Sequence, residues 1–366
     1  MRVLVVNAGS SSLKLRVIDS RNDLVASVDL PAIGSGTDES TIKQALAGLG
    51  NVDAVGHRIV HGSTEFTGPV KIDSSVVERL RSFVDLAPLH QPASLIALDA
   101  VSRQMQKVPA VACFDTAFHA EMPLATTTYA IPEEWRTRFG IRRYGFHGLS
   151  HLYSSNRAVE LVGAKENLSK VITCHLGAGA SLAAVHAGRS VDTTMGFTPL
   201  EGLVMATRTG SLDPGLVLWL EEHVGIKDDE LADAFEHRSG LMGLAGTSDM
   251  REILLRWRAG DFDAEVALGV YVHRLRAGIA SMAAAMNGAD LLVFTGGVGE
   301  HSSEVRKLAA DGLRFLGVVL DEEANRNGEG DRIISAGSSQ IATLVVFSRE
   351  DIEIAKETRS VLGTAC

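Results

Sequence analysis

The residues with the clearest capacity for chemistry are small polar and cationic ones placed where apolar runs end. Asn7 follows Val3, Leu4, Val5 and Val6; Gly9, Ser10, Ser11 and Ser12 come next, and Lys14 lies just beyond. Gly9 frees the backbone to curl, and the small residues leave its N–H groups exposed. The stretch reads either as a cradle for a phosphate or as an ordinary hairpin turn whose Ser and Asn satisfy their own backbone. Arg58 lies near the end of a second apolar run, between His57 and His61, and Asp115 directly follows a third, Ala110 to Phe114. An open α/β sheet delivers polar residues in this way to the crevice at the carboxyl ends of its strands.

The second half repeats the arrangement with different residues. Val171 to Val185 is again strand, small-residue turn and strand, with His175, Gly177, Ala178 and Gly179 at the turn. Two such openings point to a structural duplication. Leu291 to Phe294 is a strand running into Thr295-Gly296-Gly297-Val298-Gly299-Glu300 and then a helix over about 302–313, which fits either a nucleotide contact or a left-handed structural turn. Thr194 to Asp213 lacks periodicity and carries Pro199, Glu201 and Arg208. Irregular stretches of that length are often functional, although Glu201 and its apolar neighbours also fit a lid that only packs.

These groups need a scaffold, and the composition supplies one. The chain has 366 residues, 45% hydrophobic and 22% charged, with 36 Gly and 9 Pro, which suits two α/β-rich domains. Val3–Val6 reads as a buried strand, and Leu13, Leu15 and Val17 alternate with Lys14 and Arg16 as a half-buried one. Leu95, Leu98, Val101 and Met105 have helical spacing, the stretch Tyr144 to His151 opens a helix to about Val162, and Asp263 to Met286 is a long Ala-rich helix. A last strand, Ile341 to Phe347, delivers Ser348-Arg349-Glu350-Asp351 to a closing helix. No low-complexity linker is present, so the domains must join through short segments.

The net charge of −10 argues against a general nucleic-acid binder. Among the 3 Cys, Cys113 and Cys174 sit in apolar runs and read as reduced core residues. The apolar N-terminal run is too short for a signal peptide, and no window reaches about 18 apolar residues. A cytoplasmic protein without a membrane span is expected.

Taken together, the words NAGSSSLK, GHRIVHG, LAPLHQP, FDTAFH, YGFHGLSH, ITCHLGAG, MGFTPLEG, TRTGSLDP, FTGGVGE and SREDIEIAKET resemble the acetokinase family from end to end. These are the short-chain carboxylate kinases of the sugar kinase, heat-shock-cognate and actin superfamily. The resemblance implies an α/β protein of two duplicated actin-like (ribonuclease H-like) domains with an active-site cleft between them. Residues 1–117 plus about 352–366 would form the N-terminal domain. Residues 118–351 would form the C-terminal one, carrying the nucleotide site and a homodimer interface.

The implied reaction is reversible, direct in-line transfer of the ATP γ-phosphoryl group to acetate, giving acetyl phosphate and ADP. The resemblance assigns Arg58 to the acetate carboxylate, Arg208 to the phosphoryl group in transfer, and His147 to its equatorial oxygens, with His90 as a supporting histidine. Asn7, Asp115 and Glu350 match positions that organise Mg²⁺ (or Mn²⁺), and Asp115 also fits as a partner that orients Arg208. Ser10, Ser12 and Lys14 match the first phosphate turn; His175, Gly177 and Gly179 match the second. Gly296, Gly297, Gly299 and Glu300 match the adenosine pocket, and Val60, Leu89, Phe146 and Pro199 match the methyl pocket.

Related propionate kinases tend to carry a smaller residue at the position of Val60, so its bulk favours acetate, with propionate slower rather than excluded. Two departures stand out. The usual His-Leu-Gly-Asn-Gly-Ser-Ser turn has Ala178 in place of Asn and Ala180 in place of Ser, which removes an amide near phosphate. His301 stands where Asn is usual. The rivals are a propionate or butyrate kinase, and a nucleotide-binding homologue with impaired catalysis.

Overall fold

The run Val3–Ala8 is buried on nearly every side chain, so it lacks the alternation of a half-exposed strand. It forms β1 of the computed structural model, which describes residues 1–9, 12–32, 37–87, 91–164 and 169–363. β2 (Ser12–Ile18) returns antiparallel, with Val6 opposite Leu15 and Asn7 opposite Lys14. The alternation read from the sequence holds there, because Leu13, Leu15 and Val17 are buried and Lys14 is exposed. β3 (Leu24–Pro31) was not legible in the sequence; it is an edge strand with alternating half-buried residues, where Pro31 is tolerated. β4 (Ala54–Ile59) and β6 (Ala110–Phe114) run parallel to β1, and β5 (Val70–Lys71) pairs antiparallel with β6.

The second sheet contains β7 (Lys170–Leu176), β8 (Ala180–His186), β9 (Arg189–Thr193), β10 (Leu291–Thr295), β11 (Arg332–Ile333) and β12 (Ala342–Val345). The strand orders are β3-β2-β1-β4-β6-β5 and β11-β12-β10-β7-β8-β9. Each sheet is an antiparallel meander followed by two further parallel strands and an antiparallel closing strand. The duplicated actin-like α/β architecture expected from the sequence is therefore present.

The chain divides into two compact units. One comprises Met1–Ala120, Phe146–Tyr153 and Arg349–Cys366, and the other Glu121–Gly145 and Ser154–Ser348. Phe146–Tyr153 thus packs with the first unit, although the sequence reading grouped it with the second half of the chain. The reason is Leu149, which is buried in one core cluster with Val3, Val5, Ile354 and Ala355. On the opposite face of the first sheet, Leu4 and Val6 pack with Ile42, Leu46, Ala97 and Val101, from the helices Glu39–Gly48 and Gln91–Gln104. No helix among the described residues is long and apolar enough to cross a membrane.

The helix Glu350–Val361 lies very close to the first sheet at Gly56. A Cβ there would stand 2.4 Å from Thr358 Oγ1 and 2.6 Å from Ile354 Cγ2. Overfilling so tight a contact costs about 1–3 kcal/mol. Gly56→Ala is therefore expected to lower the unfolding free energy by about that amount, read by chemical denaturation with an unchanged m-value.

Candidate active site

β1, β4 and β6 are adjacent and parallel, so their carboxyl ends place Asn7, Arg58 and Asp115 side by side. Arg58 donates from Nε to Asp115 Oδ1 at 3.0 Å and from Nη2 to Asp115 Oδ2 at 2.6 Å. Its Nη1 donates to Asn7 Oδ1 at 3.0 Å, and Asn7 Nδ2 donates to Glu350 Oε2 at 3.0 Å. Glu350 Oε2 also lies 3.8 Å from Arg58 Nε. The Arg58 and Asp115 side chains are only 14% and 2% exposed. Burial works against the Arg58 charge, but the Asp115 and Glu350 carboxylates outweigh it and raise its pKa. Burial raises the Asp115 carboxyl, and its two-point contact with Arg58 opposes that. Of the five N–H donors of a guanidinium, three are engaged in these contacts and two are left over.

Asp115 also shapes the turn that carries His147. Its carbonyl accepts from Gly148 N–H at 2.9 Å, and a Cβ on Gly148 would stand 2.2 Å from that oxygen. His147 has φ +57°, a left-handed conformation unusual for a residue with a side chain. His119 Nε2 lies 3.1 Å from the Phe146 carbonyl, and the Phe146 ring meets His61 edge-on at 5.6 Å. Burial pushes His57, His61 and His119 down to about 4, so these imidazoles are neutral at pH 7. Val60 and Phe146 are buried in this unit.

In the second unit Arg208 pairs through Nε with Glu236 Oε2 at 3.0 Å, and its Nη1 donates to the Pro199 carbonyl at 3.4 Å. Burial lowers the pKa of Arg208 and Glu236 opposes that shift. The loop around Arg208 is pinned to the end of the helix Asp228–His237. Thr207 Oγ1 donates to the Glu236 carbonyl at 2.7 Å, and Thr209 N–H to the Phe235 carbonyl at 3.1 Å. Ala206 N–H donates to the Ala178 carbonyl at 3.0 Å, which ties the same loop to the turn after β7.

β7 and β10 are parallel neighbours with His175 opposite Thr295, so their two glycine turns emerge together. A cavity of ≈ 800 Å³ opens there, lined by Gly177, Ala178, Gly297, Val298 and His301 among others, with Met250, Leu254 and Tyr271 as apolar wall. Gly296 has φ +76°, and a Cβ would stand 2.8 Å from the Leu176 carbonyl. Glu300 is not in the cavity lining. Its Oε1 accepts from Gly296 N–H and from Ser348 N–H, both at 2.8 Å, so it positions the turn. Buried Arg306 holds the Gly299 and Glu300 carbonyls at 2.8 and 2.9 Å.

Asn7, Arg58, Asp115 and Glu350 therefore form one network, Pro199 and Arg208 a second, and Gly177 and Gly297 share a cavity. Within its own unit Asp115 pairs with Arg58. Ser12 is half-buried and Lys14 exposed at the start of β2, and Gly9 N–H donates to the Ser12 carbonyl at 2.9 Å. Ser10, Leu89 and His90 lie outside the described residues. Sequence reasoning missed Glu236, because it lies in a helix with no motif of its own. It also missed the buried carboxyl of Glu357, one turn beyond Glu353.

A family model described as the acetokinase family matches residues 37–356. The acetate kinase of Carboxydothermus hydrogenoformans is 41% identical to this chain over 391 residues, covering 98% of each. Among solved structures, the acetate kinase of Porphyromonas gingivalis has a TM-score of 0.89 at 34% identity, covering 99% of each chain. A propionate kinase from Francisella tularensis has a TM-score of 0.91 at 34% identity, covering 98% of this chain and 99% of its own.

Glu357 gives the pH dependence of the first unit. Burial, reinforced by the Glu353 and Asp115 carboxyls and opposed by contact with Cys113, pushes it up from 4.5 to about 7. Its Oε2 has no hydrogen-bond partner. The folded state thus holds a proton that the unfolded chain releases near 4.5, and the resulting stability is lost as the pH rises through 7. Glu357→Gln lacks that loss. Its stability relative to wild type is expected to rise by about 1–3 kcal/mol between pH 4.5 and 8. Paired thermal melts across that range test this, and a pH-independent difference refutes it.

Proposed function

Because the chain belongs to the acetokinase family and is a phosphotransferase with a carboxyl group as acceptor, we propose that it transfers the γ-phosphoryl group of ATP to acetate, reversibly. One observation carries this reading: the Arg58 guanidinium is held in place by neighbours in its own unit. Asp115 and Asn7 fix its plane, and the two N–H donors left over form the kind of planar fork that binds a carboxylate.

A carboxylate with a pKa near 4–5 is already ionised at pH 7, so the acceptor needs no general base. The remaining task is to position two anions and offset the charge that spreads over the transferred group. Arg208 and His147 take the transferred phosphoryl, and direct in-line transfer fits that division of labour. The ≈ 800 Å³ cavity receives the adenosine, and the turns carrying Ser12 and Lys14 and carrying His175, Gly177 and Gly179 receive the phosphates.

Asp115, Glu350 and the Asn7 side-chain carbonyl are hard oxygen groups of the kind Mg²⁺ and its waters take, and since Arg58 engages Asp115 and Asn7 they would organise the ion through its waters. They would hold the ion, which when bound supplies further neutralisation of the phosphate oxygens. Val60 and Phe146 are buried in the first unit, and the bulk of Val60 in the part assigned to the methyl group favours acetate. The propionate kinase neighbour at 34% identity gives propionate a place as the slower acid. A homodimer is part of the same reading.

An acyl-hydroxamate assay with ATP, Mg²⁺ and a series of acids tests the proposal. Acetate is expected to give the highest kcat/KM, and a propionate preference would overturn the substrate assignment. Arg58→Ala and Arg208→Ala are each expected to cost on the order of 10²–10⁴-fold in kcat/KM with the fold retained, and Lys should rescue neither. Wild-type-like turnover in either variant refutes its role. Glu236→Gln removes the charge that orients Arg208. It should lower kcat on the order of 10- to 100-fold and leave the acetate KM nearly unchanged. A selective rise in the acetate KM would instead place Glu236 with the acid.

A further inference from the structure

The irregular stretch from Thr194 to Gly202 carries Pro199, yet no ladder of regular hydrogen bonds holds it. A compact polar chain does so instead. Tyr129 Oη donates to Glu201 Oε2 at 2.5 Å and accepts from Phe197 N–H at 2.9 Å. Arg143 Nη2 donates to Glu201 Oε1 at 2.6 Å. Arg143 Nη1 donates to the Thr194 and Met195 carbonyls at 3.2 and 3.0 Å, and its guanidinium lies over the Tyr129 ring at 5.6 Å. Tyr144 N–H and Gly145 N–H both reach the Gly196 carbonyl, at 3.0 and 3.3 Å.

The loop is pressed against this chain so closely that a Cβ on Gly196 would stand 1.7 Å from Glu201 Oε2 and 2.2 Å from Tyr129 Oη. Glu201, near the end of the loop, is thus tied back to its first half, through Tyr129 to Phe197 and through Arg143 to Thr194 and Met195. Arg143, Tyr144 and Gly145 also lead directly along the chain into Phe146 and His147. The latch therefore ties the backbone that bears Pro199, a residue assigned to the methyl group, to Arg143, Tyr144 and Gly145 of the same unit. Burial and the Glu201 contact raise the Tyr129 phenol above its ordinary value, so it stays a protonated donor to that carboxylate at pH 7.

We propose that Tyr129, Glu201 and Arg143 form a latch that sets acid-chain-length discrimination, with Tyr129 and Glu201 as positioning residues that never touch the substrate. The proposal rests on the functional reading above. A loop left loose by a missing anchor lets Pro199 give way, and a longer acid then fits at less cost. A site built on side chains that are themselves locked by a supporting shell discriminates by shape, and loses that property before it loses the fold.

The test uses the full-length protein with Tyr129→Phe, Glu201→Gln and the double variant. Tyr129→Phe conserves volume and removes only the hydroxyl, and a thermal melt checks that each variant is folded. Each single variant is expected to lower kcat/KM for acetate on the order of tenfold and to leave the KM for ATP at its wild-type value. The ratio of kcat/KM for acetate over propionate should fall toward one. The double variant should be no worse than the more impaired single one, because both anchors belong to one latch. An unchanged acid ratio, or an ATP KM that rises in step with the acetate KM, overturns the proposal. A wild-type protein that phosphorylates none of the acids sinks the functional reading and this proposal with it. An active wild type with unchanged ratios in the variants sinks the latch alone.

Discussion

The two-point contact between Arg58 and Asp115 is the constraint on which the first unit's site depends. A guanidinium taken so far out of water is costly unless its partner is close and well oriented. Asp115 meets that demand with both carboxylate oxygens. The same residue uses its main-chain carbonyl to hold Gly148. Arg58 and the His147 turn are therefore referred to a single residue at the end of a central strand. A shift of Asp115 would move the Arg58 guanidinium and the His147 turn together, which is why the pair is better regarded as one fitting than as two independent groups.

The duplication explains why chemistry gathers where it does. In each sheet the meander feeds a central strand that is paired in parallel with its next neighbour, so loops after these strands emerge at one edge. The two sheets use that edge differently. After β1, β4 and β6 it is furnished with side chains that carry charge: Asn7, Arg58 and Asp115. After β7 and β10 it is furnished with backbone, through glycines whose missing Cβ lets the turns approach one another, as Gly296 does against Leu176. Charged side chains suit a small acid that must be oriented, and exposed main-chain N–H groups suit phosphates, which need many weak donors rather than one strong one.

Most of this was legible because it is local. An apolar run ending in Asn7, in Arg58 or in Asp115 can be seen in a few consecutive residues, and the repetition of the pattern says that the ends will meet. The hairpins at the start of both halves, the long helix now seen as Phe262–Ala285, and the strand β10 were legible for the same reason. What stayed hidden depends on partners far away in the chain. Glu201 meets Tyr129 across 72 residues and Arg143 across 58, and nothing in the spacing of the three announces it. Glu236 sits in an amphipathic helix where a carboxylate on one turn looks like any other solvated residue. β3 escaped because its alternation of Ala26, Val28 and Leu30 with Ser27 and Asp29 is short and only half-buried, without a continuous apolar run.

Ala178 shows how a departure from a family pattern can be read physically. The sequence suggests a loss, since a side-chain amide near phosphate has gone. In the structure residue 178 does its work with the main chain: its carbonyl accepts Ala206 N–H and so anchors the loop that carries Arg208. That bond is indifferent to the side chain, and Ala in place of a larger amide leaves more of the ≈ 800 Å³ cavity open. The tether from the turn after β7 to the loop bearing Arg208 survives the substitution. The anchoring of the Arg208 loop is therefore independent of which side chain stands at position 178, because the bond that provides it is made by the main chain.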